Sequence, residues 1–241
     1  MGKTVFEKSS SGRRAFTLPP NDCPPEGLEQ LMTRKGPVGL PEIGEQDLVR
    51  HYIELAGKNY HIDKGMYPLG SCTMKYNPVI NEELAGLGGF TGLHPDQDTG
   101  DVQGALELMH GLERALSEIC GMSAFTLQPA AGAHGEFTGM LITRDYFLDR
   151  GEKRKVVIVP DSAHGTNSAS VAICGFTPKT IPSNEQGLID PAILEKEVDG
   201  ETAVLMLTLP NTLGLFEREI AEVVRIVHDA GALVYMDGAN M

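Results

Sequence analysis

The stretch that most restricts the fold of this 241-residue chain runs from Gly121 to Asp237. Short apolar runs alternate there with segments of helical spacing. Residues Val156 to Val159 read Val-Val-Ile-Val, with nothing polar to face water. Such a run suits a strand covered on both faces, as in a parallel sheet, better than a half-exposed antiparallel one. The expected order is strand Ala124–Gln128, helix Gly135–Leu148, strand Lys155–Pro160, helix Gly165–Ile173 and strand Thr177–Ile181. There follow a helix capped by Asp190 with Pro191 at its first position, strand Ala203–Leu209, helix Glu219–Ala230 and strand Ala232–Asp237. This rhythm predicts an α/β fold, a mostly parallel sheet between two layers of helices.

Upstream the pattern is different. Asp101–Cys120 carries Val102, Ala105, Met109, Leu112, Leu116 and Ile119 at spacings of three and four, so a helix is expected, capped by Asp101 and ended by Gly121. Glu45–Gly57 reads as a helix with Leu48, Tyr52 and Leu55 on one side. Asn59–Pro78 has no period, and a long loop inside a compact domain is usually functional or disordered. The first 44 residues read as an arm, either wrapping a partner surface or serving as a flexible lead-in. Leu18–Pro25 alone holds four prolines, which favour extended, unpaired backbone. The expected division is therefore an arm over 1–44, a helical lead-in with a long loop over 45–122, and the sheet domain over 123–241.

Charge narrows the partners. A net charge of −13 argues against nucleic acid and anionic membranes, both of which want a basic face, but leaves room for a local phosphate pocket. No apolar run approaches the ~20 residues that span a bilayer. Met1–Arg14 has no apolar core of a signal peptide, so a cytoplasmic protein is expected. The cysteines at 23, 72, 120 and 174 form no C-x-x-C pair, so neither a metal site nor a disulfide framework is expected.

Four polar motifs each follow an expected strand. Pro129–Glu136, rich in glycine and alanine, is either a cradle that offers backbone amides to a phosphate at a helix N-terminus or a tight strand-to-helix turn. In Asp161–Asn167, His164 either stacks on a flat ring and exchanges protons or sits in a capping cluster. In Thr208–Gly214, Asn211 either donates to a ring hydroxyl or belongs to a turn. Asp237, in Asp237–Asn240, ends a buried strand and wants a cationic partner, unless it is an exposed helix cap. Taken together, loops at the C-terminal edge of a parallel sheet converge on one crevice. They favour a flat, phosphate-bearing ligand with a cationic nitrogen.

The block Tyr67-Pro68-Leu69-Gly70-Ser71-Cys72-Thr73-Met74-Lys75-Tyr76-Asn77-Pro78 resembles the signature loop of the glycine-cleavage P-protein family. The four strand-end motifs match that family's later blocks in order. The length ahead of the first block is similar to the second subunit of the two-subunit bacterial form, and the blocks are those of its N-terminal part. The resemblance implies the fold-type-I, aspartate aminotransferase-like large domain, here incomplete and preceded by an extended arm. It implies pyridoxal 5′-phosphate as cofactor, with decarboxylation of glycine and transfer of the aminomethyl group to the lipoyl group of H-protein. The implied partners are P-protein subunit 1 and lipoylated H-protein.

By the same resemblance, Gly132, Ala133 and His134 would present amides to the cofactor phosphate. His164 would stack on the pyridine ring, Asn211 and Asn240 would lie near its hydroxyl, and Asp237 would pair with its protonated nitrogen. Ser71, Cys72, Thr73, Lys75 and Asn77 would line the glycine site. The family's Schiff-base lysine lies downstream of the Asp-Gly-Ala-Asn motif, whereas the last lysine of this sequence is Lys196. The alternative reading is thus a non-catalytic fragment or partner-dependent subunit that binds the cofactor weakly. Leu209 stands where the family has Asn, and Ser168 where it has Pro. In the family fold, strands after Asp237 return beside Ala124–Gln128. Without them that strand loses its neighbours, and residues 1–241 alone are expected to be unstable.

Overall fold

In a computed structural model of the protein, the residues described are 2–17, 19, 20, 22, 34–66 and 72–241. They fall into two units, Met1–Met66 and Tyr67–Met241.

The first unit is built around helix α1 (Glu45–Ala56), whose first turn carries Glu45 and Asp47 at its positive end. Residues 9–13 fold back on its entry. Glu42 donates its amide to Ser9 Oγ over 2.9 Å, and Arg13 pairs with Asp47 over 2.7 Å. Of the three residues expected on one side, Leu48 is half-buried while Tyr52 and Leu55 are exposed, and the buried residue of α1 is His51.

The second unit opens with α2 (Val79–Ala85), α3 (Gly88–Thr91), a 3₁₀ turn (Thr99–Val102) and α4 (Gln103–Cys120). Asp101 does not cap α4. The 3₁₀ turn takes its place in the chain, and Asp98 caps that turn by accepting the Gly100 amide at 2.8 Å. Gly121 does end α4, at φ 64°, where a side chain would be strained.

Next come α5 (Gly132–Asp149), β1 (Val156–Pro160), α6 (Gly165–Ile173), β2 (Thr177–Ile181), α7 (Pro191–Glu197), β3 (Thr202–Thr208), α8 (Ile220–Asp229) and β4 (Leu233–Asp237). Helix α5 starts three residues earlier than expected, because the Ala131 carbonyl already accepts the amides of His134 and Gly135 at 3.0 and 3.1 Å. Asp190 caps α7 through the Ala192 amide at 2.8 Å, with Pro191 at the first position.

The four strands form one parallel sheet in the order β2-β1-β3-β4. Every residue of β3 is buried, as a central strand of apolar residues requires. Alternate side chains feed two cores. Ile158, Leu205 and Leu207 meet Leu194 of α7 and Val223 and Val227 of α8. Val157, Val204 and Met206 meet Met140 and Phe147 of α5 and Val171 of α6. Successive side chains of a strand point to opposite faces, so the unbroken apolar run serves both layers.

Ala124–Gln128 forms no strand. A strand needs a neighbour to take up its ladder, and among the described residues none lies beside this segment. Among the described residues, β4 pairs only with β3.

The chain runs from β1 outward to β2, then crosses to β3 on the other side of β1. Strand order therefore reverses between β1 and β3, and the crevice beyond their C-terminal ends is the switch point where such sheets bind ligands. Among the described residues, no helix is long and apolar enough to cross a membrane.

Candidate functional site

The loops that leave β1, β3 and β4 are tied to one another at the crevice. Thr212, after β3, donates its hydroxyl to the carbonyl of Ser162, after β1. Leu209 donates its amide to the Asp237 carbonyl at 2.9 Å. Asn240 donates to the Pro210 carbonyl at 2.9 Å. The Leu209 bond extends the β3–β4 ladder by one step, and the two side-chain bonds tie the loops beyond it.

Asp237 is buried, at 8% exposure. Its Oδ2 accepts from Thr208 Oγ1 at 3.1 Å and its Oδ1 from the Ala239 amide at 3.0 Å. No cation pairs with it among the described residues. Thr208 in turn accepts from Asn167 Nδ2 at 3.4 Å. Because the single Thr208 proton goes to Asp237, the amide nitrogen of Asn167 must face Thr208. That orientation leaves Asn167 Oδ1 buried with no partner among the described residues. The residue is wholly enclosed.

At the start of α5 the amides of Gly132 and Ala133 have no partner among the described residues, so they and the helix dipole can receive an anion. The third expected donor, the His134 amide, already bonds the Ala131 carbonyl at 3.0 Å. His164 is the residue ahead of α6, half-buried, with Nδ1 in short contact with Thr166 Oγ1. Thr166 Oγ1 donates to Glu136 Oε1 at 2.8 Å, and Ser170 donates to Glu136 Oε2 at 3.2 Å.

The carboxylates set the local electrostatics. Burial, and then the charges of Asp237 and Glu136, push the Tyr235 phenol up to about 12. Tyr235 is thus a neutral group across physiological pH. Burial also raises Glu217 above the usual carboxylate range, opposed by the Ile189 amide that it accepts at 3.1 Å.

The expected residues of the Tyr67–Pro78 loop divide. Thr73 reaches Asn240 Oδ1 through its amide at 2.9 Å, and Lys75 Nζ bonds the Ala239 carbonyl, so both meet the end of β4. Cys72 is half-buried beside Met74. Asn77 instead bonds Glu82 and Asn81 at the start of α2. Ser71 lies outside the described residues. Asn211 is buried, and its side chain is fully engaged, donating to the Gly187 carbonyl at 2.9 Å and accepting the Leu213 and Leu215 amides. It shapes the turn after β3, while its carbonyl faces Asn240.

Glu136, Asn167 and Thr208 were not among the expected site residues. For Glu136 a signal existed. It shares the buried face of α5 with Met140, Thr143 and Phe147, and a carboxylate at a core position needs dedicated donors.

The family Aminotransferase class-V matches residues 139–241. Relatives of similar sequence are probable glycine dehydrogenase (decarboxylating) subunit 2 of Thermotoga petrophila, 55% identical over 99% of this chain and 50% of the relative, and that of Thermococcus onnurineus, 57% identical over 98% and 48%. The chain spans about half the length of the curated relatives it matches. Among solved structures, a glycine decarboxylase (P-protein) of the glycine cleavage system in inhibitor-bound form aligns with TM-score 0.65 at 22% identity, over 88% of this chain and 46% of that one. Oryza sativa TDC with PLP and tryptamine aligns with TM-score 0.57 at 15% identity, over 89% and 51%. At these identities the structures establish the α/β fold, which is part of the fold-type-I architecture.

Proposed function

We propose that this chain is part of a glycine dehydrogenase (decarboxylating) subunit 2, about half the length of which it spans in the relatives it matches, and that it holds pyridoxal phosphate for the decarboxylation of glycine. The observation that carries this reading is Asp237. A carboxylate at 8% exposure, held by two internal donors and paired with no cation among the described residues, needs a positive partner. A protonated pyridine nitrogen meets that need. Each carboxylate oxygen accepts one donor from within and keeps a lone pair for a ligand.

The other donors suit the same ligand. The free amides of Gly132 and Ala133 would take its phosphate, and His164 would lie against its ring. Bound pyridoxal phosphate supplies an electron sink for the pair released when the α-carboxylate leaves. Asp237 would hold a proton on the ring nitrogen throughout. Thr73 and Lys75, anchored to Asn240 and Ala239, would bring their loop to the glycine side and exclude water there. The aminomethyl group would pass to the lipoyl arm of H-protein, and P-protein subunit 1 would be the partner chain. The lysine that binds the cofactor covalently in this family has no counterpart after Asp237 in the 241 residues.

The test is exchange of labelled bicarbonate into glycine by the native protein with its partner chains and lipoylated H-protein. The reading expects exchange that depends on added pyridoxal phosphate and falls at least a hundredfold in Asp237→Ala. Absence of exchange in a preparation that binds pyridoxal phosphate would favour the non-catalytic, partner-dependent alternative. Exchange undiminished by Asp237→Ala would remove Asp237 from the site.

A further inference from the structure

A buried carboxylate stands behind His164, and the site as described gives it no task. Glu136 is 6% exposed and lies on α5, not on the loop it serves. It accepts two hydroxyls, Thr166 Oγ1 at 2.8 Å and Ser170 Oγ at 3.2 Å, and both belong to α6. Ser170 sits one turn beyond Thr166, so the two hydroxyls grip one carboxylate from the same helix face. Only Thr166 continues the chain, through its contact with His164 Nδ1.

Proton bookkeeping gives the chain a direction. A threonine hydroxyl has one proton, and an ionised carboxylate can only accept. The Thr166 proton therefore goes to Glu136, so the contact between Thr166 Oγ1 and His164 Nδ1 needs a proton on Nδ1. The Thr166 amide also lies 3.4 Å from Nδ1, but a nitrogen that carries the proton cannot accept, and the short contact with the hydroxyl outweighs this long one. His164 Nε2 has no partner among the described residues and is left for whatever enters the crevice.

We propose that Glu136 is a positioning residue that, through Thr166, fixes His164 as an Nδ1–H donor and thereby sets the orientation of its ring. That His164 faces a pyridine ring rests on the reading above. The hydrogen-bonded chain behind it does not.

The test reads His164 itself. Two-bond ¹H–¹⁵N correlation spectra of the native protein with its partner chains, labelled at the histidine nitrogens and recorded at alkaline pH, tell which ring nitrogen of His164 carries the proton. The wild type should hold the Nδ1–H form. Thr166→Val removes the acceptor at Nδ1 and should lose that form. Glu136→Gln leaves an amide that accepts at one end only and should lose it in part. Ser170→Ala loosens Glu136 without touching the link, and should keep it. An Nε2–H form in the wild type, or an Nδ1–H form kept unchanged in Thr166→Val and Glu136→Gln, overturns the proposal. A fluorescence titration with pyridoxal phosphate on the same samples separates the two readings. If the wild-type protein binds none, the functional reading fails, while the His164 spectra still decide this one.

Discussion

Replacing Thr208 by valine removes one hydroxyl and almost no volume. In the structure that hydroxyl donates to Asp237 at 3.1 Å and accepts from Asn167 at 3.4 Å. A hydrogen bond to a charged group contributes about 1.5–3 kcal/mol. The Asn167 contact lies beyond the usual N–H···O range and adds less, on the order of 0.5 kcal/mol. Thr208→Val should therefore destabilise the unit by about 2–3 kcal/mol, a fall in melting temperature of about 5–10 °C for a domain of this size. The variant also strands Asn167, whose Oδ1 is already without a partner. Asn167→Leu with Thr208→Val should accordingly lose less than the two single losses added together. The assay is thermal melting of the native protein at fixed cofactor concentration, since a bound ligand shifts the melt. A fall under 2 °C, or additive losses, would refute the chain from Asn167 to Asp237.

Other outcomes follow from the same structure. Gly139→Ala places a Cβ 2.4 Å from Tyr235 Cε2, so despite alanine's better helix propensity it should destabilise by about 1–2 kcal/mol, and Tyr235→Leu should relieve it in a melting experiment. Glu217 has a raised folded-state pKa, so its contribution is full below the ordinary carboxylate pKa and is lost as pH rises through the folded value. Stability measured against pH should lose that acid-side gain in Glu217→Gln. Helix α4 buries none of its residues, and Leu108 and Ile119 are 63% and 79% exposed. The isolated 241-residue chain should therefore aggregate or melt without a cooperative transition, and a sharp, high-temperature calorimetric peak would contradict this.

Within residues 156–237, β1 and β3 could be read because strands buried on both faces leave no polar gaps, whereas β2 is Thr-Pro-Lys-Thr-Ile and largely exposed. Each observed strand there lies within a residue of its expected limits. Ala124–Gln128 has a strand's composition, but composition does not supply a neighbour, and pairing is non-local. Asp101 failed as a cap for a local reason, since a 3₁₀ turn shifted the helix start by two residues. At the site, the loops were legible by their place after strands and by their polar residues. The roles within them were less so. Asn211 looks like a free donor in the sequence, yet the turn it builds takes both ends of its amide. Glu136 lies in a motif noted for its glycines, and only its burial shows that it reaches across to another helix.

The central claim is that Asp237 holds a cationic ring nitrogen at the crevice beyond β3 and β4. The most direct measurement is a fluorescence titration of the native protein with pyridoxal phosphate, compared with Asp237→Asn. Asparagine keeps the shape, removes the charge and accepts at one end only. The account predicts saturable binding at one equivalent per chain, weakened at least tenfold in Asp237→Asn. Equal affinity in the two proteins would contradict it.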